Sequence, residues 1–188
     1  MATNGQAHVT GDHFMSPILA LRLTGKMKAG RMLDVGCRDF FISRQFAEAG
    51  YRVHGIDPRP VEPVEPPDDV TFEQTTLEAF ETSQKYDLVV ASLVSQFVNL
   101  SLTDFIARLS TLCKGNGLIY LTLIGDQDTW AVNPTVKAVS VEFADRLIAM
   151  ARLEPVFRSI KWFEGSTYDG SSKSWHVYEY LLAKAEDD

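Results

Sequence analysis

The chain has few cysteines, no long apolar run and no excess of positive charge. Its two cysteines, Cys37 and Cys113, lie far apart and lack the spacing of a disulfide framework or a metal site. We therefore expect a reducing, cytoplasmic location and no bound metal. No apolar run approaches the length of a membrane span, and residues 1–12 lack the apolar core of a signal peptide, so no membrane partner is expected.

Positive charge is scattered rather than clustered, and the formal net charge is −7. A surface that binds nucleic acid normally carries a basic stripe, because phosphate contacts dominate the affinity. Nucleic acid is therefore not expected as a partner or substrate. The chain is 45% hydrophobic and 23% charged over 188 residues, which is typical of one globular domain.

Proline is uncommon except between Pro58 and Asp69, where five of the 8 prolines lie. A helix is excluded in such a stretch, because proline lacks the N–H group and restricts the residue before it. We expect an ordered, extended crossover here. The alternative is a flexible linker between domains, but too few residues precede it to form a separate domain.

The domain is predicted to span residues 16–188 after a flexible tail at residues 1–15. Capping residues and apolar periodicity predict helices at Ser16–Gly25, Asp39–Gly50, Leu77–Ser83, Ser101–Gly115 and Ser140–Leu153. Apolar or alternating runs predict strands at Arg31–Gly36, Arg52–Ile56, Val70–Gln74, Tyr86–Leu93, Leu118–Ile124, Val156–Phe163 and Trp175–Ala183. The last two strands have no helix between them, so they should pair as an antiparallel hairpin.

Two acidic residues stand where predicted strands end. Asp34 and Gly36 close an apolar strand that turns directly into a helix, which places backbone N–H groups beside the turn. Asp57 ends the next strand, the position at which βαβ units bind the ribose of a nucleoside. The pattern therefore predicts a small polar ligand at this edge of the sheet.

The segments Leu33–Cys37 and Gly55–Asp57 resemble motifs I and II of the class I S-adenosylmethionine (SAM)-dependent methyltransferases. Arg38 and Phe40 occupy the two later glycine positions of motif I, so the glycine motif is degenerate. The length and the C-terminal strand look most like the small stand-alone members that include the tellurite-resistance-type enzymes. The resemblance implies an α/β fold: a Rossmann-like, seven-stranded, mostly parallel sheet with a C-terminal antiparallel β-hairpin and helices on both faces.

The same resemblance implies SAM as the cofactor and suggests which residues hold it. Asp34 would serve the methionine amino group, Asp57 the two ribose hydroxyls, and Thr76 with Leu77 the adenine. The implied cofactor-binding residues are Asp34, Gly36, Cys37, Arg38, Asp57, Thr76, Leu77, Ala91 and Ser92.

Candidate substrate-lining residues lie in the segments around the expected acceptor site: His13, Phe14, Gln96, Asp126 and Trp130. His13 precedes the N-terminal helix, which often covers the active site in this family. No catalytic base is evident in the sequence, and amine or sulfur-type acceptors do not always need one.

These features predict methyl transfer from SAM to a small-molecule acceptor. Because Arg38 and Phe40 replace glycines, a SAM-free, methyltransferase-like binding or scaffold protein is an alternative. A nucleotide-dependent oxidoreductase is a second alternative, supported only by the acid after the second strand. The missing Gly-x-Gly-x-x-Gly pattern and the terminal hairpin count against the oxidoreductase.

Overall fold

The computed structural model describes residues 16–59, 66–167 and 170–185. Its helices are α1 (Pro17–Leu23), α2 (Phe41–Glu48), α3 (Leu102–Leu112) and α4 (Val141–Met150), with a 3₁₀ helix at Thr129–Val132. Its strands are β1 (Arg31–Val35), β2 (Arg52–Asp57), β3 (Val70–Gln74), β4 (Tyr86–Ala91), β5 (Cys113–Ile124), β6 (Leu153–Ser166) and β7 (Ser172–Lys184).

The seven strands form one sheet in the order β3-β2-β1-β4-β5-β7-β6. The first five strands pair in parallel, whereas β7 pairs antiparallel with both β5 and β6. The strand order reverses between β1 and β4, which is the kind of switch point where ligands of open α/β sheets bind. The predicted fold class is confirmed.

Each face of the sheet carries its own apolar core. Met32 of β1 packs on one face with Leu21 of α1 and Phe46 of α2. The next residue, Leu33, packs on the opposite face with residues of α3 and α4. Neighbouring residues of a strand point to opposite faces, so a continuously apolar β1 serves both cores.

Serine hydroxyls begin three of the four helices. Ser16 accepts a hydrogen bond from Leu19 N at 3.2 Å, and Ser101 and Ser140 cap α3 and α4 in the same way. Helix α2 is different, because it starts at Phe40 in a left-handed conformation with no side-chain cap. Its first turn is therefore held by other contacts, described below.

The predicted helix at Leu77–Ser83 is wrong. This segment contains only one turn, in which Phe80 N donates to Thr76 O at 2.9 Å and Ala79 N donates to the Thr76 hydroxyl at 3.2 Å. Leu77 and Phe80 are buried but most of their neighbours are exposed, so little packing offsets the cost of nucleating a helix.

Several element boundaries also differ from the predictions. Helix α3 ends at Leu112, and Cys113 is extended and begins β5 rather than lying late in the helix. Helices α2 and α4 are shorter than predicted, and strands β6 and β7 are longer. Phe41 is 43% exposed although it is a large apolar residue, because only one face of the short α2 reaches the sheet.

Part of the proline-rich crossover lies outside the described residues, at 60–65, as does the tail at residues 1–15. The flanking residues of the crossover, Pro58, Arg59 and 66–69, are not helical, as predicted. In the described ranges, no helix is long and apolar enough to cross a membrane.

Candidate active site

A cleft of about 1000 Å³ opens where the parallel strands end. Many of the residues predicted from the sequence line it: Gly36, Arg38, Asp57, Thr76, Leu77, Ser92, Gln96 and Trp130. These residues lie at or after the ends of five strands, β1 to β5, and the parallel pairing of these strands brings them together. The carboxyl ends of the parallel strands are also where the sequence predicted the ligand site.

Other predicted site residues do not line the cleft. Asp34, Cys37 and Ala91 are buried in the protein interior. Asp126 instead contacts His176 and Tyr178, with its carboxylate 3.7 Å from His176 Nδ1 and 3.5 Å from the Tyr178 hydroxyl. His13 and Phe14 lie outside the described residues.

The turn between β1 and α2 is tied to the end of β2. Gly36 N and Cys37 N both donate to Ile56 O, at 2.8 and 3.2 Å. Gly36 has φ +75°, and a Cβ placed on it would lie 2.8 Å from Val94 Cγ2. This position therefore requires glycine for two reasons, its left-handed backbone and the close approach of Val94.

The two residues that replace glycines keep a glycine-like backbone. Arg38 has φ 44° and Phe40 has φ 59°, a conformation that costs a residue with a Cβ about 1–2 kcal/mol. The Phe40 ring is fully buried and packs edge-on against Phe72, with ring centroids 5.5 Å apart. Both positions thus use a backbone conformation that glycine adopts readily, and the larger Phe40 side chain lies in the core.

Asp57 is held by two backbone amides at the end of β2. Its Oδ2 accepts from Arg38 N at 3.2 Å and its Oδ1 from Arg59 N at 2.9 Å. The residue is 8% exposed and lines the cleft. Each carboxylate oxygen keeps acceptor capacity beyond the amide bond, so an oriented acceptor pair is available to a ligand.

Asp34 lies beneath the turn and supports the start of α2. Its Oδ2 accepts from the Ser43 hydroxyl at 2.6 Å. Burial raises the pKa of Asp34 to about 7, and the bond from Ser43 opposes that rise. The carboxyl therefore keeps its proton far above the pH at which an exposed aspartate ionises.

Side chains in the loops after β3 and β4 form hydrogen bonds within those loops. The Thr76 hydroxyl accepts from Ala79 N, and Gln96 Nε2 donates to Leu93 O at 2.7 Å. Leu93 has φ 53°, and its N–H donates to the Thr122 hydroxyl at 2.6 Å. These bonds fix the shape of the cleft wall between β3 and β5.

Sequence reasoning missed several lining residues: Ile42 and Gln45 of α2, Phe97 after β4, and Ser166 and Thr167 at the β6–β7 turn. Phe41 also lines the cleft, and Phe97 is 68% exposed. One indication in the sequence was available for the cleft. Phe41, at the start of α2, is a large apolar residue outside the apolar stripe by which the helix packs on the sheet. The β6–β7 turn carried none, because hydroxyl residues in turns are common.

Three aromatic residues, Phe97, Trp130 and Trp175, line the cleft on its β5–β7 side, and we call them the aromatic wall. The ring centroids of Phe97 and Trp130 are 6.5 Å apart, and those of Trp130 and Trp175 are 5.5 Å apart. The ammonium group of Lys173 lies 3.6 Å from the Trp175 centroid and 4.4 Å from the Trp130 centroid. The wall is thus held by a cation–π contact to each indole.

Lys173 forms an ion pair with Asp128, and the two side chains are 1% and 0% exposed. The Asp128 carboxylate also accepts from Trp130 N at 2.9 Å and from His176 N at 3.0 Å. Burial lowers the pKa of Lys173, and Asp128 opposes that change. The partners lie 45 residues apart, so no local pattern indicated this pair.

Two of the four histidines, His54 and His176, lie in the described residues. His54 Nδ1 lies 2.8 Å from the Tyr86 hydroxyl, a contact between β2 and β4. His176 is buried and stacks on Trp162, with centroids 3.7 Å apart. Across the described ranges, no group of three or more His, Cys, Asp or Glu residues is placed to hold a metal ion.

The sheet order, the terminal antiparallel strands and the cleft at the switch point define a class I methyltransferase fold. The chain belongs to the methyltransferase domain family, whose model matches residues 8–170. Family and fold together confirm the expectation of a SAM-dependent methyltransferase.

Solved structures with the same fold share little sequence with this chain. One is the 1,6-didemethyltoxoflavin-N1-methyltransferase of Burkholderia thailandensis, solved with 1,6-didemethyltoxoflavin and S-adenosylhomocysteine (TM-score 0.66, 16% identity, 91% of this chain and 76% of that chain). A second is the N-methyltransferase NodS of Bradyrhizobium japonicum (TM-score 0.65, 18% identity, 90% of this chain and 94% of that chain). A third is TehB of Haemophilus influenzae (TM-score 0.68, 14% identity, 88% of this chain and 61% of that chain). Among curated proteins, no sequence matches significantly.

Proposed function

We propose that this protein transfers a methyl group from SAM to a small-molecule acceptor bound in the same cleft. The observation that carries the proposal is the carboxylate of Asp57, held by the amides of Arg38 and Arg59 at the end of β2. A preoriented carboxylate at this point of a βαβ unit suits the two hydroxyls of a ribose. The two bonds would be charge-assisted and partly shielded from water.

The residues around Asp57 fit the remaining parts of the cofactor. Gly36 and Arg38 line the cleft at the β1–α2 turn, where the methionine part would lie. Thr76 and Leu77, after β3, would flank the adenine, and Ser92, after β4, would lie near the methionine end. Asp34, Cys37 and Ala91 would act from the interior, by supporting the backbone that contacts the cofactor.

When bound, SAM supplies an electrophilic methyl group on a sulfonium centre. The chain's own task is then to align the acceptor with this methyl group and to exclude water, which can account for many kcal/mol of the barrier. Val94 and the aromatic wall give this part of the cleft an apolar lining. A base is needed only if the nucleophilic atom must lose a proton.

The geometry of the turn speaks against the SAM-free scaffold alternative. That alternative rests on Arg38 and Phe40, yet both residues keep positive φ angles and the Phe40 ring is fully buried. A turn that had lost its ligand would have no need to keep two strained residues in this conformation. The match to the methyltransferase domain family and the antiparallel pairing of β7 with β5 count against the oxidoreductase alternative.

Isothermal titration calorimetry with S-adenosylhomocysteine tests the proposal. The wild type should bind it, and Asp57→Ala should weaken binding by about tenfold to a few hundredfold, the equivalent of about 1.5–3 kcal/mol. Asp68→Ala is the matched control, because Asp68 is an exposed aspartate in the turn before β3, and it should bind like the wild type.

Three results would count against the proposal. Binding of NAD in place of S-adenosylhomocysteine would favour the oxidoreductase. No binding at millimolar concentration would favour the scaffold protein. Unchanged affinity in a folded Asp57→Ala variant would remove the ribose-binding role of Asp57.

A further inference from the structure

The cleft has two chemically different ends. Asp57 and Thr76 lie at the ends of β2 and β3, whereas Trp130 follows β5 and Trp175 lies in β7. Strands β1 and β4 separate these groups in the sheet. A cofactor held at Asp57 therefore leaves the end beside the aromatic wall for a second ligand.

We propose that this second end takes a flat, uncharged aromatic acceptor with a lone-pair ring nitrogen, and that the Lys173–Asp128 pair makes it select against cations. The inference rests on the proposed function and adds the chemical class of the acceptor. Its first support is the shape and chemistry of the surface. Phe97 is 68% exposed at the cleft and stands edge-on to Trp130, so flat apolar surface is available to an aromatic ring.

The charge of Lys173 makes the wall unsuited to a cationic acceptor. Its ammonium group lies against both indoles, and Phe163 stacks parallel to Trp175 with centroids 5.9 Å apart. Trp175 therefore already contacts a cation and a second aromatic ring, and the residue is only 5% exposed. Aromatic cages bind cations through ring faces, and here the protein's own lysine occupies them.

Lys173 and Asp128 do not line the cleft, and the polar side chains that line it near the wall are neutral. Among the described residues that line the cleft, the acids are Asp57 at the end of β2 and Glu78 after β3, and Glu78 Oε1 already accepts from Asn99 N in the loop after β4. Gln96, Ser166 and Thr167 are the polar side chains nearer the wall. A protonated amine would lose its water here without gaining a carboxylate partner, which is unfavourable.

The proton balance agrees with this class of acceptor. In the part of the chain that the structure describes, no histidine or lysine lines the cleft. A pyridine-type nitrogen attacks with its lone pair: the nitrogen–carbon bond forms and the carbon–sulfur bond breaks. The bonding electron pair goes to sulfur, and the positive charge passes to the ring nitrogen. No proton leaves, so no base is required.

Two probes of nearly equal size test the proposal. Isoquinoline is flat and uncharged at pH 8, whereas 1,2,3,4-tetrahydroisoquinoline is protonated and partly puckered. Calorimetry on the protein saturated with S-adenosylhomocysteine should show isoquinoline binding, with the protonated amine at least about tenfold weaker. With radiolabelled SAM, label should pass to isoquinoline in preference to the amine.

Variants assign the effect to the wall. Trp130→Leu should abolish isoquinoline binding but keep S-adenosylhomocysteine binding. Trp162→Leu, the matched control, changes a tryptophan that does not line the cleft and should have no effect. The double variant Asp128→Asn with Lys173→Met removes both charges of the ion pair, so neither is left buried without its partner, and its preference for isoquinoline should fall to about two- to threefold.

The outcomes separate this inference from the proposed function. If the wild type does not bind S-adenosylhomocysteine, both the proposed function and this inference are overturned. If S-adenosylhomocysteine binds but the protonated amine binds as well as isoquinoline, or neither probe binds, the acceptor class is wrong. If a folded double variant keeps the full preference, Lys173 is not the source of the selectivity.

Discussion

Gly36→Ala is the sharpest test of the turn that shapes the candidate site. The substitution places a Cβ on a residue with φ +75°, only 2.8 Å from Val94 Cγ2. The left-handed backbone should cost about 1–2 kcal/mol, and the contact with Val94 about 1–3 kcal/mol more, as for other overpacked positions. We expect a total loss of about 2–5 kcal/mol in the free energy of unfolding.

Gly25→Ala separates the two contributions. Gly25 has φ +66°, and a Cβ placed there would meet nothing within 4 Å. It should therefore lose only the backbone part, about 1–2 kcal/mol. Urea unfolding followed by circular dichroism gives both values, and titration with S-adenosylhomocysteine shows whether a folded Gly36→Ala protein keeps its site.

A double-mutant cycle with Val94→Ala completes the test. Removing Cγ2 of Val94 should relieve the contact, so the two substitutions together should be less destabilising than the sum of the single effects by about 1–2 kcal/mol. The reasoning fails if Gly36→Ala is no more destabilising than Gly25→Ala. It also fails if Val94→Ala shows no coupling to Gly36→Ala.

Three further predictions follow from the same structure. Arg38→Gly should change S-adenosylhomocysteine affinity by a factor of about ten at most, because the backbone N–H that holds Asp57 remains; a larger loss would assign the guanidinium a direct role. For Asp34, whose pKa rises from 3.8 to about 7 on folding, the folded state holds the proton more tightly, so its stabilising effect is present below pH 4 and is lost as pH rises to 7. Relative to Asp34→Asn, wild-type stability should fall by about 1.4 kcal/mol per pH unit across that window, and parallel stability–pH curves would contradict this. Lys173→Met should destabilise the protein by about 3–5 kcal/mol by leaving Asp128 charged and buried, and adding Asp128→Asn should recover most of the loss; thermal unfolding measures both, and no recovery would show that charge is not the cause.

Much of the fold follows from local patterns in the sequence. The apolar strands alternate with capped helices, and each capping serine acts within three residues of its own position, so Ser16, Ser101 and Ser140 could be assigned from sequence alone. The terminal strand pair without an intervening helix predicted the antiparallel arrangement for the same reason. The segment at Leu77–Ser83 was misassigned, because the packing that decides whether a short helix forms is not a local property.

The candidate site divides along the same line. Two features could be predicted: Asp57 ends one strand, and a turn at Gly36 ends another. Each of them depends only on residues adjacent in the chain. The sequence could not show whether Arg38 and Phe40 block the cleft, because the answer depends on their φ angles and on the space beside Phe72 in the core. The Lys173–Asp128 pair could not be predicted either. Its two charges lie on separate elements, and only the antiparallel pairing of β5 with β7 brings them together. Local sequence determined the strands, the helix starts and the acid at the tip of β2; the tertiary structure decided which side chains face the cleft, because that depends on contacts between residues far apart in the chain.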